Sequence, residues 1–283
     1  MRGLFVVGTD TGVGKTIVTG AIAAALRLRG DRVAVMKPVE TGCPPAPHAA
    51  GPIDGLPGDP TPQARAALAR LHELVGPPPI TIATRTPAEA LAPSDALYLR
   101  RLAGCAAPLD LVNPYRYSPA VAPAVAAELA GRPIELDHLS ACLATLAADA
   151  DLTLVEGAGG VLVPLTREHL LIDFVVGSGL PALIVGRSAL GTINHCLLTL
   201  EALKARGVPI AGIVLNRTTP RPSPDEAANP QQLERFAGPV VRGVLPYFEP
   251  SLREDAAFLA RRCAAHLDLE AILKVVGNAP PRP

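Results

Sequence analysis

The chain has 283 residues, enough for one large domain or two small ones. Its 26 basic and 26 acidic residues cancel, so no global field draws it to nucleic acid or to an anionic membrane surface. It is 49% apolar but holds no Trp and only 3% aromatic residues, so its core must be built from Ala, Val, Leu and Ile.

An apolar run, Leu4-Phe5-Val6-Val7, reads as a buried first strand. The segment from Ile17 to Leu26 reads as a helix, with Ile17, Val18, Ala21, Ile22, Ala25 and Leu26 near one face. Between them lies Gly8-Thr9-Asp10-Thr11-Gly12-Val13-Gly14-Lys15-Thr16. A glycine-rich turn from strand to helix aims backbone N–H groups and the positive helix end at one point, which suits a polyphosphate. In that reading Lys15 reaches the outer phosphates and the Thr16 hydroxyl sits on a Mg²⁺. Gly8 lies one residue further from Gly14 than the usual nucleotide-loop spacing.

Gly30 closes the helix, and Arg32 to Met36 is a second strand ending at Lys37-Pro38. Strand, helix, strand at this spacing is a right-handed βαβ unit in a parallel sheet. Lys37 then stands at the carboxyl edge of the sheet, beside the loop, where open α/β sheets bind ligands. Twelve of the 31 prolines fall between Pro44 and Pro93, so residues 43–93 read as an irregular surface insertion with one helix from Pro62 to Gly76. Helical spacing resumes at Ser94, a candidate N-cap. Leu111 to Tyr115 reads as extended before Pro114. A helix follows towards Leu129, delayed by Pro123, and another spans Asp137 to Ala148.

Leu152-Thr153-Leu154-Val155 is a buried strand that ends in Glu156-Gly157-Ala158-Gly159-Gly160. An acid there suits a second contact with Mg²⁺ or its water. After a strand over Pro181–Val185, Gly191-Thr192-Ile193-Asn194 opens a helix to Arg206, whose bare amides suit an anion such as a carboxylate. His195 reads as a packing or capping residue. Ile210 to Leu215 is a further strand ending at Asn216, whose amide can both donate to and accept from a nucleobase edge. Thr218 to Pro230 carries four prolines and reads as irregular. Val240 to Val244 is the last strand, Ser251 to Leu273 one closing helix, and residues 277–283 a disordered tail. The whole is one doubly wound α/β domain over residues 1–276, its strands aliphatic on both faces and its helices on both sides of a mostly parallel sheet.

With these pieces in order, the chain resembles the dethiobiotin synthetase family, a branch of the P-loop NTPases. The resemblance rests on Gly8–Thr16, Lys37-Pro38-Val39-Glu40-Thr41-Gly42, Ser94-Asp95-Ala96, Val112-Asn113-Pro114-Tyr115, Glu156–Gly160, Leu190–His195 and Gly243-Val244-Leu245-Pro246. It implies an ATP- and Mg²⁺-dependent ligase acting on 7,8-diaminopelargonate and CO₂. Lys37, Lys15 and Thr11 would be catalytic. Gly12, Val13, Gly14, Lys15, Thr16, Asn216, Gly243, Leu245 and Pro246 would hold ATP. Thr16, Asp95 and Glu156 would be linked to Mg²⁺, with Asp54 in the insertion as the rival acid. Thr41, Glu156, Gly157, Ala158, Gly159 and Gly160 would face the substrate. Gly191, Thr192, Ile193 and Asn194 would hold its carboxylate across a homodimer interface.

Two other readings share the loop. A partitioning-type ATPase switch needs a signature lysine where this chain has Asp10. A cobyrinate-synthetase-like amide ligase needs a glutaminase domain for which no length remains. Five scattered cysteines without a CxxC pair argue against zinc and disulfides and fit a reducing cytoplasm. The first strand begins too early to leave room for a signal peptide, and no apolar run is long enough to span a bilayer.

Overall fold

The computed structural model describes residues 1–46 and 90–278. The helix expected over Pro62–Gly76, the rival acid Asp54 and the tail from Ala279 lie outside those residues. In chain order the elements are β1 (Gly3–Gly8), α1 (Lys15–Leu28), β2 (Val33–Met36), β3 (Val39–Thr41), α2 (Ser94–Ala103), α3 (Leu109–Val112), β4 (Tyr115–Tyr117), α4 (Pro123–Ala130) and α5 (Leu136–Ala148). Then come β5 (Leu152–Gly160), α6 (Leu171–Ser178), β6 (Ala182–Arg187), α7 (Thr192–Ala205), β7 (Ile210–Asn216), α8 (Asn229–Ala237), β8 (Val241–Leu245), a 3-10 turn (Pro250–Glu254), α9 (Ala256–His266) and α10 (Leu269–Asn278).

Six strands form one sheet in the order β2-β5-β1-β6-β7-β8, and every neighbouring pair is parallel. The first strand therefore lies inside the sheet, and the chain winds out from it in both directions. That reversal point is where open α/β sheets bind ligands. All six residues of β1 are buried, because helices cover both faces. Phe5 packs edge-to-face on Phe174 of α6, with ring centroids 5.7 Å apart. These are two of only five Phe residues, and apart from Tyr115, Tyr117, Phe248 and a few Met and Cys side chains the rest of the core is aliphatic. Among the described residues no helix is long and apolar enough to cross a membrane.

Helix α1 is buried along almost its whole length from Val18 to Leu26, more than one amphipathic face requires. The reason is that α2 and α9 both pack against it. At Gly20 the fit to α2 is so close that a Cβ would lie 2.5 Å from Leu102 Cδ1. The lack of a side chain there lets α2, and Asp95 at its start, lie close to the phosphate loop.

Three expectations are corrected. Leu109–Val112 is a helical turn that ends at Asn113, directly before Pro114, with φ −136° and ψ 80°, so the proline keeps only its immediate neighbour out of the helical region. The extended segment begins later, at β4, which pairs in parallel with β3 as a small second sheet. Helix α8 starts at Asn229-Pro230, with proline at a helical start where its missing N–H costs nothing, inside what read as irregular chain. The closing helix is three pieces. Asp255 caps α9 by accepting from Phe258 N at 3.0 Å, and Leu267 leaves the helix to bridge Gly243 of β8, so sheet contact interrupts the helical repeat.

Candidate active site

Strand register brings the site together. Met36 of β2 pairs with Val155 of β5, so Lys37 comes out beside Glu156. On the other side Val6 of β1 pairs with Glu156, and Gly8 with Gly160, with a register shift between them. The strand does not stop at Glu156 but continues through Gly157, Ala158, Gly159 and Gly160 alongside the start of the loop. The loop ends at Gly14, in the left-handed region with φ 91°, and no side chain caps the helix that follows. The first-turn amides of α1 are thus left for an external acceptor.

Two lysines converge on the end of β5. Lys37 Nζ donates to Glu156 Oε1 at 2.5 Å and to Asp95 Oδ2 at 2.8 Å. Thr16 Oγ1 donates to the same Glu156 oxygen at 2.9 Å. Lys15 Nζ donates to Gly159 O at 2.9 Å and to Asp10 O at 3.0 Å. Burial, reinforced by the charge of Lys37, lowers the Lys15 ammonium to about 8. Burial also works against charge on Lys37, but the Glu156 and Asp95 carboxylates outweigh it and the net direction is upward. For Asp95, desolvation is outweighed by the Lys37 charge, and its pKa is lowered.

The donors fit a Mg²⁺. Thr16 supplies a hydroxyl, and Asp95 and Glu156 supply carboxylates, the hard oxygens this ion takes alongside its water. Glu156 Oε2 is buried and has no hydrogen-bond partner among the described residues, so an acceptor is left over.

A cleft beside the loop is lined by Gly12, Gly14, Ile17, Asn216, Arg217, Thr218, Pro246, Phe248 and Arg253. Asn216 Nδ2 donates to Val13 O at 3.0 Å, which fixes one N–H of the amide against the loop. Arg217 leads into the Thr218–Pro230 stretch and is held by the buried Glu226, its Nε donating to the two carboxylate oxygens at 2.8 and 3.1 Å. Leu245 is buried behind the cleft, and Gly243 lies two residues back, bridged to Leu267. On the far side of the loop Thr192 is buried beside Thr9, Asp10, Arg187 and His195, with Gly191 capping α7 at φ 91°. Thr11 and Asn194 are exposed, and Thr41 and Ile193 are half-buried.

Two residues with structural roles in the site were not assigned any from the sequence. Asn113 is fully buried and its Nδ2 donates to Lys37 O at 2.7 Å, pinning the backbone that carries the lysine. Glu40 accepts from the amides of Asp95 and Ala96, both at 3.0 Å. The expected cap, Ser94, is instead the first helical residue and turns its hydroxyl to Glu40 at 3.4 Å. Only the Asn-Pro context hinted at the first of these, and no local spacing signals the second.

A parallel sheet with a glycine loop at its reversal point, a lysine and threonine opening the next helix, and an acid on the neighbouring strand defines a P-loop nucleotide-binding fold. The family model described as an AAA domain matches residues 2–72 and 81–255. The ATP-dependent dethiobiotin synthetase BioD of Anaeromyxobacter sp. (strain K) is 38% identical over 259 residues, covering 92% of this chain and 96% of that protein. The enzyme of the same name from Bacillus subtilis (strain 168) is 28% identical over 277 residues, covering 98% and 100%. Among solved structures, the cell division ATPase MinD of Pyrococcus furiosus aligns over 98% of both chains at 18% identity, with a TM-score of 0.47. The chain belongs to the dethiobiotin synthetase family.

Proposed function

We propose that this chain is an ATP-dependent ligase that converts 7,8-diaminopelargonate and CO₂ to dethiobiotin, ADP and phosphate. The observation that carries the reading is the Glu156 carboxylate. The loop threonine and the Lys37 strand end both donate to its Oε1, so the phosphate loop and the Lys37-Pro38 segment serve one site.

One amine of the substrate takes up CO₂, forming a C–N bond and releasing a proton, to give a carbamate. A carbamate oxygen attacks the γ-phosphorus of ATP, the bond to the β-phosphate oxygen breaks, and ADP leaves. The second amine attacks the carbamoyl carbon, closes the ring and expels phosphate. No covalent nucleophile from the protein is required. What the protein must supply is placement and positive charge around the transferring phosphoryl group. Lys15 exchanges its two carbonyl partners for phosphate oxygens. Lys37, kept charged by two carboxylates, faces the carbamate and the γ-phosphate. Thr16, Asp95 and Glu156 would hold Mg²⁺, which would supply screening of the phosphate charge. Thr11, Thr41 and the Gly157–Gly160 backbone border the substrate. Gly12, Gly14, Asn216 and Pro246 border the nucleoside, with Val13, Leu245 and Gly243 behind them.

The substrate carboxylate binds the uncapped start of α7 at Gly191, Thr192, Ile193 and Asn194, in a homodimer. Leu190 and Leu198, 87% and 63% exposed on either side of that helix start, supply apolar surface for the second copy. The test is ATP hydrolysis in bicarbonate with and without 7,8-diaminopelargonate. Hydrolysis that depends on the diamine and yields dethiobiotin supports the reading, and diamine-independent hydrolysis overturns it.

A further inference from the structure

We propose that Glu40 is a positioning residue, whose buried carboxylate fastens the start of α2 so that Asp95 faces Lys37 and the metal position. The inference rests on the reading above in which Asp95 helps hold Mg²⁺.

Helix α2 begins after Pro93, which has no side-chain acceptor, and no residue of its own caps it. Its first-turn amides still need acceptors. They come from another element: Glu40 in β3, 55 positions earlier than Asp95, takes the Asp95 amide on Oε1 and the Ala96 amide on Oε2. A carboxylate on a helix start is charge-assisted twice, by the hydrogen bonds and by the helix dipole. Glu40 is only 6% exposed, so water is a poor substitute for these two donors.

The arrangement closes a ring. Lys37 and Glu40 stand three residues apart on one short segment. Asp95 is bound by its carboxylate to the first and by its amide to the second. The backbone of Lys37 is itself held by Asn113 and by the Val112 carbonyl, which accepts from Lys37 N at 2.7 Å. Without Glu40, the only polar anchor left to Asp95 from the Lys37 strand among the described residues is its half-exposed side-chain ion pair. Groups that orient a metal ligand typically change metal affinity or activity by about 10- to 100-fold when removed.

The test uses the full-length protein with ADP, and Mn²⁺ as a spectroscopic stand-in for Mg²⁺. Free Mn²⁺ is followed by electron paramagnetic resonance, and exchange of the Asp95 and Ala96 amides by hydrogen–deuterium exchange. Glu40→Ala is expected to weaken Mn²⁺ binding about tenfold and to speed exchange of both amides. Glu40→Gln keeps one acceptor and is expected to fall between. If Glu40→Ala does not fold, Glu40→Gln decides by the same readings. Unchanged Mn²⁺ affinity in a folded variant, or a lower melting temperature with unchanged affinity, overturns the proposal. If the wild type turns over the diamine but the variants bind Mn²⁺ as it does, only the role of Glu40 fails. If the wild type shows no diamine-dependent turnover, the functional reading beneath it fails.

Discussion

Lys37 Nζ lies 2.5 Å from Glu156 Oε1 in the interior, with the glutamate side chain wholly buried and the lysine 5% exposed. Neither partner can be removed quietly. Lys37→Ala takes away the cation proposed to face the phosphoryl group and also strands a buried carboxylate. Turnover is expected to fall by about 10²- to 10³-fold or more. Stability is expected to fall by about 3–5 kcal/mol. Binding of a fluorescent ADP should change little, because Lys15 and the loop amides carry it. Single-turnover kinetics, thermal unfolding and nucleotide titration separate the three, and a variant with near wild-type kcat would take Lys37 out of the mechanism.

Lys15 gives a pH dependence with a definite sign. Burial holds its ammonium at about 8, below the ordinary 10.5, so the charged form proposed to grip phosphate is lost as pH rises through 8. Affinity for a non-hydrolysable ATP analogue is expected to decline above pH 8, by up to about tenfold per pH unit. Folding stability runs the other way. Between about 8 and 10.5 the unfolded chain binds more protons than the folded one, so this group's contribution to stability improves as pH rises. Calorimetric titration from pH 7 to 9.5 reads the first effect, and affinity flat across that range contradicts the assignment.

The metal acid is open to direct comparison. Asp95 meets Lys37 in the site, whereas Asp54 lies outside the described residues. Asp95→Ala is expected to raise the Mg²⁺ concentration for half-maximal turnover about tenfold or more, and Asp54→Ala to leave it unchanged. The opposite pattern would shift the proposed metal site to Asp54.

Gly14 has φ 91°, and a Cβ there would lie 2.0 Å from Asn216 Nδ2. Gly14→Ala should therefore push Asn216 off Val13 and cost nucleotide affinity by about tenfold, through strain of about 1–3 kcal/mol. Asn216→Ala should leave the loop intact but narrow the preference for ATP over GTP. Competition titrations with both nucleotides check the pair.

The described residues that flank 47–89 are already joined. Ala46 N donates to Ala90 O at 2.7 Å, and Ala92 N to Pro44 O at 2.8 Å. Replacing residues 47–89 by a two-residue Gly-Gly turn is expected to leave a folded protein with kcat within about threefold, because little closure entropy is added. A folded but inactive product would show that residues 47–89 take part in catalysis.

Much of this was legible in the chain. Apolar runs bounded by Gly and Pro located all six strands of the main sheet, and Gly8–Thr16 marked its ligand-binding edge. Lys15, Thr16, Lys37 and Glu156 were each placed at a strand end or helix start, because those positions follow from local periodicity. The helix at Asn229 and the break at Leu267 were not legible, since proline content and helical spacing are local signals and a contact with β8 is not.

The sequence by itself determined the fold class, the phosphate loop and the residue types gathered around it, because each is encoded over a few neighbouring positions. Tertiary structure alone decided that Lys37 and Thr16 meet at Glu156, that Asp95 meets Lys37, and that Glu40 holds the helix carrying Asp95. Strand order and register bring these residues together from 55 to 140 positions apart, and pairing over such separations has no local signature.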